Sequence, residues 1–229
     1  MKTFNELTVY LFISFTIFSC GSKQRAESST AEDIKQVKKI VELKTLKIGS
    51  ADWTAENLDV TTFRNGDTIP ETKTAEEWVA ASKGHKAAWC FYENNAENGK
   101  KYGKLYNFYA VSDSRGIAPE GYHVPSMSEF KQISDIFGKE AAAVAKKMKS
   151  TSGWGDKGNG DNASGFNALP GGSRSVDGEY VLLGMEAFYW SKDSDDDGAH
   201  GIILVDKHDF RLNTDYRGNG CSLRLIKDK

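Results

Sequence analysis

Pro119-Glu120-Gly121-Tyr122-His123-Val124-Pro125-Ser126-Met127-Ser128-Glu129-Phe130-Lys131-Gln132-Ile133-Ser134-Asp135-Ile136-Phe137-Gly138 is the most legible stretch of this sequence. Pro119-Glu120-Gly121 reads as a turn and Tyr122-His123-Val124 as a short strand. Ser126 can cap a helix, and Glu129, three residues on, closes a capping box. Phe130, Ile133 and Phe137 then share one helical face, and Gly138 ends the run. A second helix is expected from about Lys139 to Lys149, through the Ala-rich segment EAAAVAKKM. Two helices embedded mid-chain, between segments that read as strand and loop, indicate an α+β domain.

Working outward, Val37 to Ile48 partly alternates and suggests one or two strands. Asn65-Gly66 marks a tight hairpin turn. Thr74 to Ser82 should be a short helix, with Thr74 and Glu77 as its capping box. Trp89-Cys90-Phe91-Tyr92 is strand-like, and Asn94 to Gly99 reads as a polar loop. Tyr102 to Val111 is the densest aromatic stretch. The helical spacing of Leu105, Phe108 and Tyr109 argues for core packing, against the alternative of a sugar-stacking face. Beyond Ser150 the texture turns to Gly and Asn, so loops with short strands are expected. The final strands are read at Glu179–Leu183, Ala187–Ser191, Ile202–Val205 and Ser222–Ile226, and no internal repeat occurs.

The chain has 229 residues, with 30 Lys+Arg against 32 Asp+Glu and a net charge of −2. That balance lacks the basic footprint of a dedicated nucleic-acid binder. Mean hydropathy is −0.53, and the single long apolar run excludes a multispanning membrane protein. That run, Leu7 to Phe18, is too short for a bilayer span of about 20 residues and fits a secretory signal over residues 1–19. Ile17-Phe18-Ser19-Cys20-Gly21 resembles a bacterial lipobox, which implies lipidation of Cys20 after cleavage; the alternative is an ordinary signal with an incidental cysteine. Residues 20–36 are polar and read as the lipidated Cys and a flexible tether, leaving 37–229 as the folded domain. The expected location is the cell envelope, lipid-anchored, at the outer membrane.

Candidate chemistry is sparse. After maturation Cys90 and Cys221 remain, and they are either one disulfide or two buried thiols. Asp193-Ser194-Asp195-Asp196-Asp197-Gly198 places hard oxygens at alternate positions, as at the start of a calcium loop. The bidentate acid expected at the loop's end is missing, with Leu204 in its place and Asp206 nearby; the alternative is a solvated acidic loop. No other cofactor is expected. The Gly/Asn-rich loops offer Trp154, Asn162, Arg174 and Trp190 as a ligand-facing set, unless the tryptophans fill the core and the asparagines serve turns. No Gly-x-Ser-x-Gly elbow or phosphate-binding loop is present, and no catalytic residue is proposed.

Several segments together resemble the Fibrobacter succinogenes major paralogous domain, a family of secreted or lipid-anchored bacterial proteins. They are Trp53-Thr54-Ala55-Glu56-Asn57-Leu58, Tyr102-Gly103-Lys104-Leu105-Tyr106-Asn107, Pro119 to Ser126, Ser164 to Gly172, Tyr189-Trp190-Ser191 and Ser222-Leu223-Arg224. The resemblance covers about residues 45–229. Family members often carry a Cys before the Pro-x-Gly turn and another after the terminal Ser-x-Arg; Ala118 and Leu225 stand there, so that bridge is not carried over. The family is similar to C-type-lectin-like domains of the formylglycine-generating-enzyme branch, which implies a loop-rich domain with two helices and small antiparallel sheets. That enzyme group would demand paired cysteines near the C-terminus, and only Cys221 lies there. The resemblance therefore implies an envelope lipoprotein whose domain binds a ligand or mediates adhesion without catalysis, the ligand being a polysaccharide or an envelope protein. An active or vestigial enzyme of the formylglycine-generating type is the alternative.

Overall fold

Short hydrogen-bonding runs punctuated by turns dictate many small elements. The computed structural model describes residues 42–207 and 209–229, so the signal segment, Cys20 and the tether lie outside the described residues. In chain order the elements are β1 (Thr45–Ile48), β2 (Ala51–Thr54), α1 (Ala75–Lys83), β3 (Trp89–Cys90), a 3-10 turn (Tyr92–Asn94), α2 (Ala96–Tyr102), β4 (Leu105–Asn107), α3 (Phe108–Val111) and β5 (Tyr122–His123). They continue with α4 (Met127–Phe137), α5 (Ala141–Met148), β6 (Ser173–Arg174), β7 (Tyr180–Val181), β8 (Glu186–Asp195), β9 (Gly198–Val205), β10 (Asp209–Asp215), β11 (Gly220–Cys221) and β12 (Ile226–Lys227). Three antiparallel sheets result, ordered β1-β2-β12-β5, β10-β9-β8 and β3-β4-β11-β6-β7. This is a loop-rich α+β domain.

Helix α4 begins where the capping box places it. Ser126 Oγ accepts from Glu129 N, and Glu129 Oε2 accepts from Ser126 N at 2.8 Å. Gly138, at φ 114°, ends the helix in the left-handed region that favours glycine. The apolar face of α4 buries Phe130 and Ile133 against Trp53, Val144, Met148, Phe166, Tyr189 and Leu204. A second apolar cluster surrounds Tyr106, Phe108, Trp190 and Leu223. Strand β12 closes the domain, its Ile226 paired with Trp53 on one side and His123 on the other.

Four elements depart from the sequence reading, the first being Ser222–Ile226, where only Ile226 enters a strand and Ser222 makes a single bridge to Tyr189. The polar stretch Asn94 to Gly99 is largely helix α2, capped by Asn95 on Glu97 N at 2.9 Å, with Gly99 seated against the Phe91 ring. Its outer face is polar, so it carries no apolar period to read. Leu105, Phe108 and Tyr109 do not share one helix: Leu105 is in β4 and Phe108 opens α3. The break is Asn107, whose Oδ1 accepts from both Ala88 N and Ala110 N and whose amide donates to Lys86 O. Strand β10 was not anticipated, because Asp209, Arg211 and Asp215 give it the charged texture of an edge strand.

His123 ties the chain end to α4. Its Nδ1 bonds Asp228 Oδ1 at 2.7 Å and its Nε2 bonds Glu129 Oε1 at 3.0 Å. Burial pulls the His123 pKa down, but the bonds to Glu129 and Asp228 outweigh it and hold it above the ordinary 6.5. Burial likewise opposes the Glu129 shift, yet the Ser126 and His123 bonds hold its carboxyl below the ordinary 4.5. A raised histidine contributes stability that is fully present below 6.5 and lost as pH rises through the folded value. The lowered glutamate contributes above 4.5 and is lost as pH falls through its folded value. The midpoint of thermal unfolding should therefore fall on going from pH 6 to 8, and His123→Gln should flatten that segment of the profile; an unchanged slope in the variant would refute the assignment.

Candidate functional site

Arg224, only 2% exposed, organises the junction between β2 and the segment entering β12. Its Nε donates to Asn57 Oδ1 at 2.6 Å and its Nη1 to Thr54 O at 2.7 Å, while its guanidinium lies 4.6 Å from the Phe166 ring centroid. Backbone bonds reinforce the junction, from Thr54 N to Leu225 O and from Leu58 N to Leu223 O, each 2.8 Å. Asn57 spends its other end on Tyr102 O, donating at 2.8 Å. At Gly103, φ is 77° and an added Cβ would sit 3.0 Å from Asn57 Cβ, so this approach is reserved for glycine. Burial lowers the Arg224 pKa despite the nearby Tyr189 and Glu56. The Tyr189 hydroxyl is buried beside it, and burial pushes its pKa up against the lowering effect of Arg224.

These contacts leave a cleft of about 320 Å³ whose walls come from the turn after β2, the C-terminal end of α2 and the 164–169 loop, with Arg224 also lining it. Glu56, Lys100, Lys101 and Asn167 line it and are exposed. Asn167 adopts φ 53°, a left-handed setting that asparagine adopts more readily than most residues. A smaller cleft of about 230 Å³, lined by Leu43, Lys44 and Val60, shares Glu56, Asn57 and Asp59 with the first. Asp59 is itself paired with the buried Lys104, whose ammonium lies over the Trp89 ring at 4.6 Å. The arrangement offers amides, both signs of charge and one aromatic residue, Tyr102, around a space large enough for a small polar ligand.

The four residues expected to face a ligand are not brought together. Trp154 is buried, its Nε1 donating to Ser150 Oγ and Ala168 O, both at 3.1 Å. Trp190 is 1% exposed and donates to Tyr106 O at 2.8 Å, edge-on to Phe108. Arg174 is 1% exposed and spends its fork on Gly178 O, Thr72 O and Thr74 O. All three are core residues, because large rings need volume to fill and buried donors need partners. Asn162 is a loop brace whose Oδ1 accepts from Asn167 N at 2.8 Å, so it positions a cleft residue without lining the cleft. The residues the sequence reading passed over are Glu56, Asn57, Lys101, Tyr102, Asn167 and Arg224. The signal that could have found them was the set of resembling segments, four of which converge here.

The acidic loop is the turn of the β8–β9 hairpin. Asp193 Oδ2 accepts from Met127 N at 2.6 Å, adding a second cap to α4. Asp195 Oδ1 accepts from Asp197 N at 3.0 Å and Gly198 N at 3.3 Å, and its Oδ2 bonds His200 Nε2 at 3.0 Å. Asp193 and Asp195 are thus committed to protein donors, and among the described residues no group of three or more His, Cys, Asp or Glu is placed to hold a metal ion. Asp206 cannot join the loop, since it follows the far end of β9.

Of the two readings of Cys90 and Cys221, the structure has the second, two free, buried thiols, and the possible disulfide is absent. Both Trp89 and Cys221 pair with Tyr106, on opposite sides of β4. Cys90, next to Trp89, therefore sits two strands from Cys221 and one residue out of register. That is roughly 10 Å of separation, on opposite faces of the sheet, and no bridge spans it. Burial pushes the Cys90 thiol up to about 11, against the lowering effect of Arg174. Burial also drives Cys221 well above the ordinary range, with Asp215 adding to it.

Residues 46–227 match the family model of the Fibrobacter succinogenes major domain, and the chain belongs to that family. No curated protein and no solved structure matches the chain.

Both thiols should resist modification in the folded protein, where burial disfavours the thiolate. In denaturant without reductant, Cys90 and Cys221 should both react with a thiol reagent, read by mass spectrometry of their peptides. Recovery of a peptide linking the two would contradict the free-thiol geometry.

Proposed function

We propose that this member of the family is a lipid-anchored envelope protein whose C-type-lectin-like domain binds a saccharide without catalysis, in the cleft beside Asn57 and Arg224. The observation that carries the reading is convergence. Segments 53–58, 102–107, 164–172 and 222–224 are far apart in sequence, and each contributes lining to one open, polar cleft. Saccharides present many hydroxyls over a small apolar face, and Asn167, Lys100, Lys101 and Glu56 supply donors and acceptors around Leu169 and Tyr102. The inner wall is preformed by the Asn57 bonds, which lowers the ordering cost of binding. Anchoring rests on the lipobox-like segment ending at Cys20, with residues 20–36 as the tether. The buried thiols speak against the thiol chemistry of the alternative enzyme reading.

The test is a glycan array with the full chain extracted in detergent, followed by calorimetry of the hits. One glycan class should bind saturably. Asn167→Gly, which keeps the positive φ and removes the amide, and Lys101→Ala should each weaken binding about tenfold, or ~1.4 kcal/mol, without changing the unfolding midpoint. An array without hits, or affinities indifferent to both substitutions, would sink the saccharide reading and leave an envelope protein as the ligand to seek.

A further inference from the structure

The β10-β9-β8 sheet is closed on one side and open on the other. Outside β8, Ala187 bridges Gly172 and Tyr189 bridges Ser222. Outside β10, among the described residues, no strand pairs, so seven residues, Asp209–Asp215, form an open edge. Which backbone groups face outward follows from the alternation of antiparallel ladders. Trp190 N donates to Ser222 O at 3.2 Å and Ser222 N to Phe188 O at 3.0 Å, so Tyr189 turns its backbone groups to Ile202 on β9. One strand further, Arg211 and Asn213 turn theirs to Ile203 and Gly201. Phe210, Leu212 and Thr214 therefore present N–H and C=O groups outward, and among the described residues no donor or acceptor meets them. Phe210 packs on the cluster that holds Val144 and Met148 of α5, whereas Leu212 stays 53% exposed and Tyr216, just past the strand, 72%. Open edges invite pairing, and charges on them ordinarily block it. Here the charges are ordered to match a second copy.

We propose that two copies of this chain pair β10 to β10, antiparallel, about a two-fold axis through Asn213, joining their three-stranded sheets into one of six. In that register Arg211 stands opposite the partner's Asp215, Leu212 opposite the partner's Thr214, and Phe210 opposite the partner's Tyr216. The two-fold makes each pair occur twice. Leu212 and Thr214 both face outward, so each such pair exchanges both of its N–H···O=C bonds, and Asn213 meets its own copy at the closer, non-hydrogen-bonded position. The side chains keep capacity for this pairing. Arg211 commits its Nε to Asp209 Oδ2 at 2.5 Å, which leaves its two Nη groups. Asp215 commits Oδ1 to Tyr216 N at 2.8 Å and Asn219 Nδ2 at 2.6 Å, which leaves Oδ2. Moving the axis by one residue destroys the match. An axis at Leu212 sets Asp209 against the partner's Asp215, and an axis at Thr214 sets Arg211 against the partner's Arg217. Like charges directly opposite one another destabilise a ladder, and opposite charges stabilise it.

A cysteine placed on the axis reads the register. Asn213→Cys in the purified full chain should give, under mild oxidation, a disulfide-linked dimer whose tandem mass spectrum joins position 213 to itself. Leu212→Cys should not, because its two copies stand roughly 8 Å apart in this register, beyond disulfide reach. Analytical ultracentrifugation of the parent chain should show a concentration-dependent dimer. Arg211→Asp or Asp215→Arg alone should weaken that dimer about tenfold, and the two together should restore it, with the folding of each variant checked by its unfolding midpoint. A parent chain still monomeric at about 100 μM, cross-linking at Leu212 that equals that at Asn213, or a double variant no tighter than the single ones would overturn the pairing.

Discussion

Backbone carbonyls in a fold built from two-residue strands have too few N–H partners, and buried cations make up the difference. Among the described residues, six of the twelve strands, β3, β5, β6, β7, β11 and β12, are two residues long. Ladders that short satisfy few groups before the chain turns away, and a carbonyl buried without a donor costs about 1–3 kcal/mol. Arg174 supplies donors to Thr72, Thr74 and Gly178, and Arg224 supplies one to Thr54. Lys149 serves Val205 and Asp206. Aromatic faces beneath several of them complete the solvation: Phe166 under Arg224, Trp78 and Tyr180 beside Arg174, Trp154 beside Lys149. The Gly/Asn-rich texture and the buried charge are two aspects of one solution.

That constraint explains which parts of the fold were legible from sequence. Helix α4 could be read nearly to the residue, because a capping box, an apolar face and a terminal glycine are local signals that tertiary structure had no reason to override. The capping box of α1 was equally plain. Helix α2 was not, since its role is to present a polar flank and seat Gly99 on Phe91, which leaves no apolar period. The break at Asn107 was invisible for another reason. One side chain there satisfies three backbone groups from three places, and no window of neighbouring residues encodes that.

The site followed the same logic. Trp154, Arg174 and Trp190 attracted notice as large or charged residues in loop-rich sequence, and the fold uses all three to fill volume and satisfy carbonyls. Cys90 and Cys221 could be paired on paper because separation and facing are tertiary facts. The intervening β4 strand decides against them. Asn57 and Arg224 are one contact although 167 positions apart, and only the resembling segments hinted that the two belonged together.

What distinguishes the cleft from the other polar junctions is how unevenly its hydrogen-bonding capacity is used. Asn57 is committed at both ends, its oxygen on Arg224 and its amide on Tyr102 O, so the inner wall is fixed. Asn162 likewise spends its oxygen on the backbone of Asn167, holding the opposite loop in its left-handed turn. The exposed residues these braces support, Asn167 on one side and Lys100 and Lys101 on the other, stand at the rim in contact with water. Asn167 shares its left-handed backbone with Asn94 and Asn162, a conformation asparagine adopts more readily than most residues, so the brace fixes where its amide stands at the rim. For the saccharide site proposed above, a rigid floor beneath solvated polar groups would set geometry in advance while the rim exchanges water for ligand.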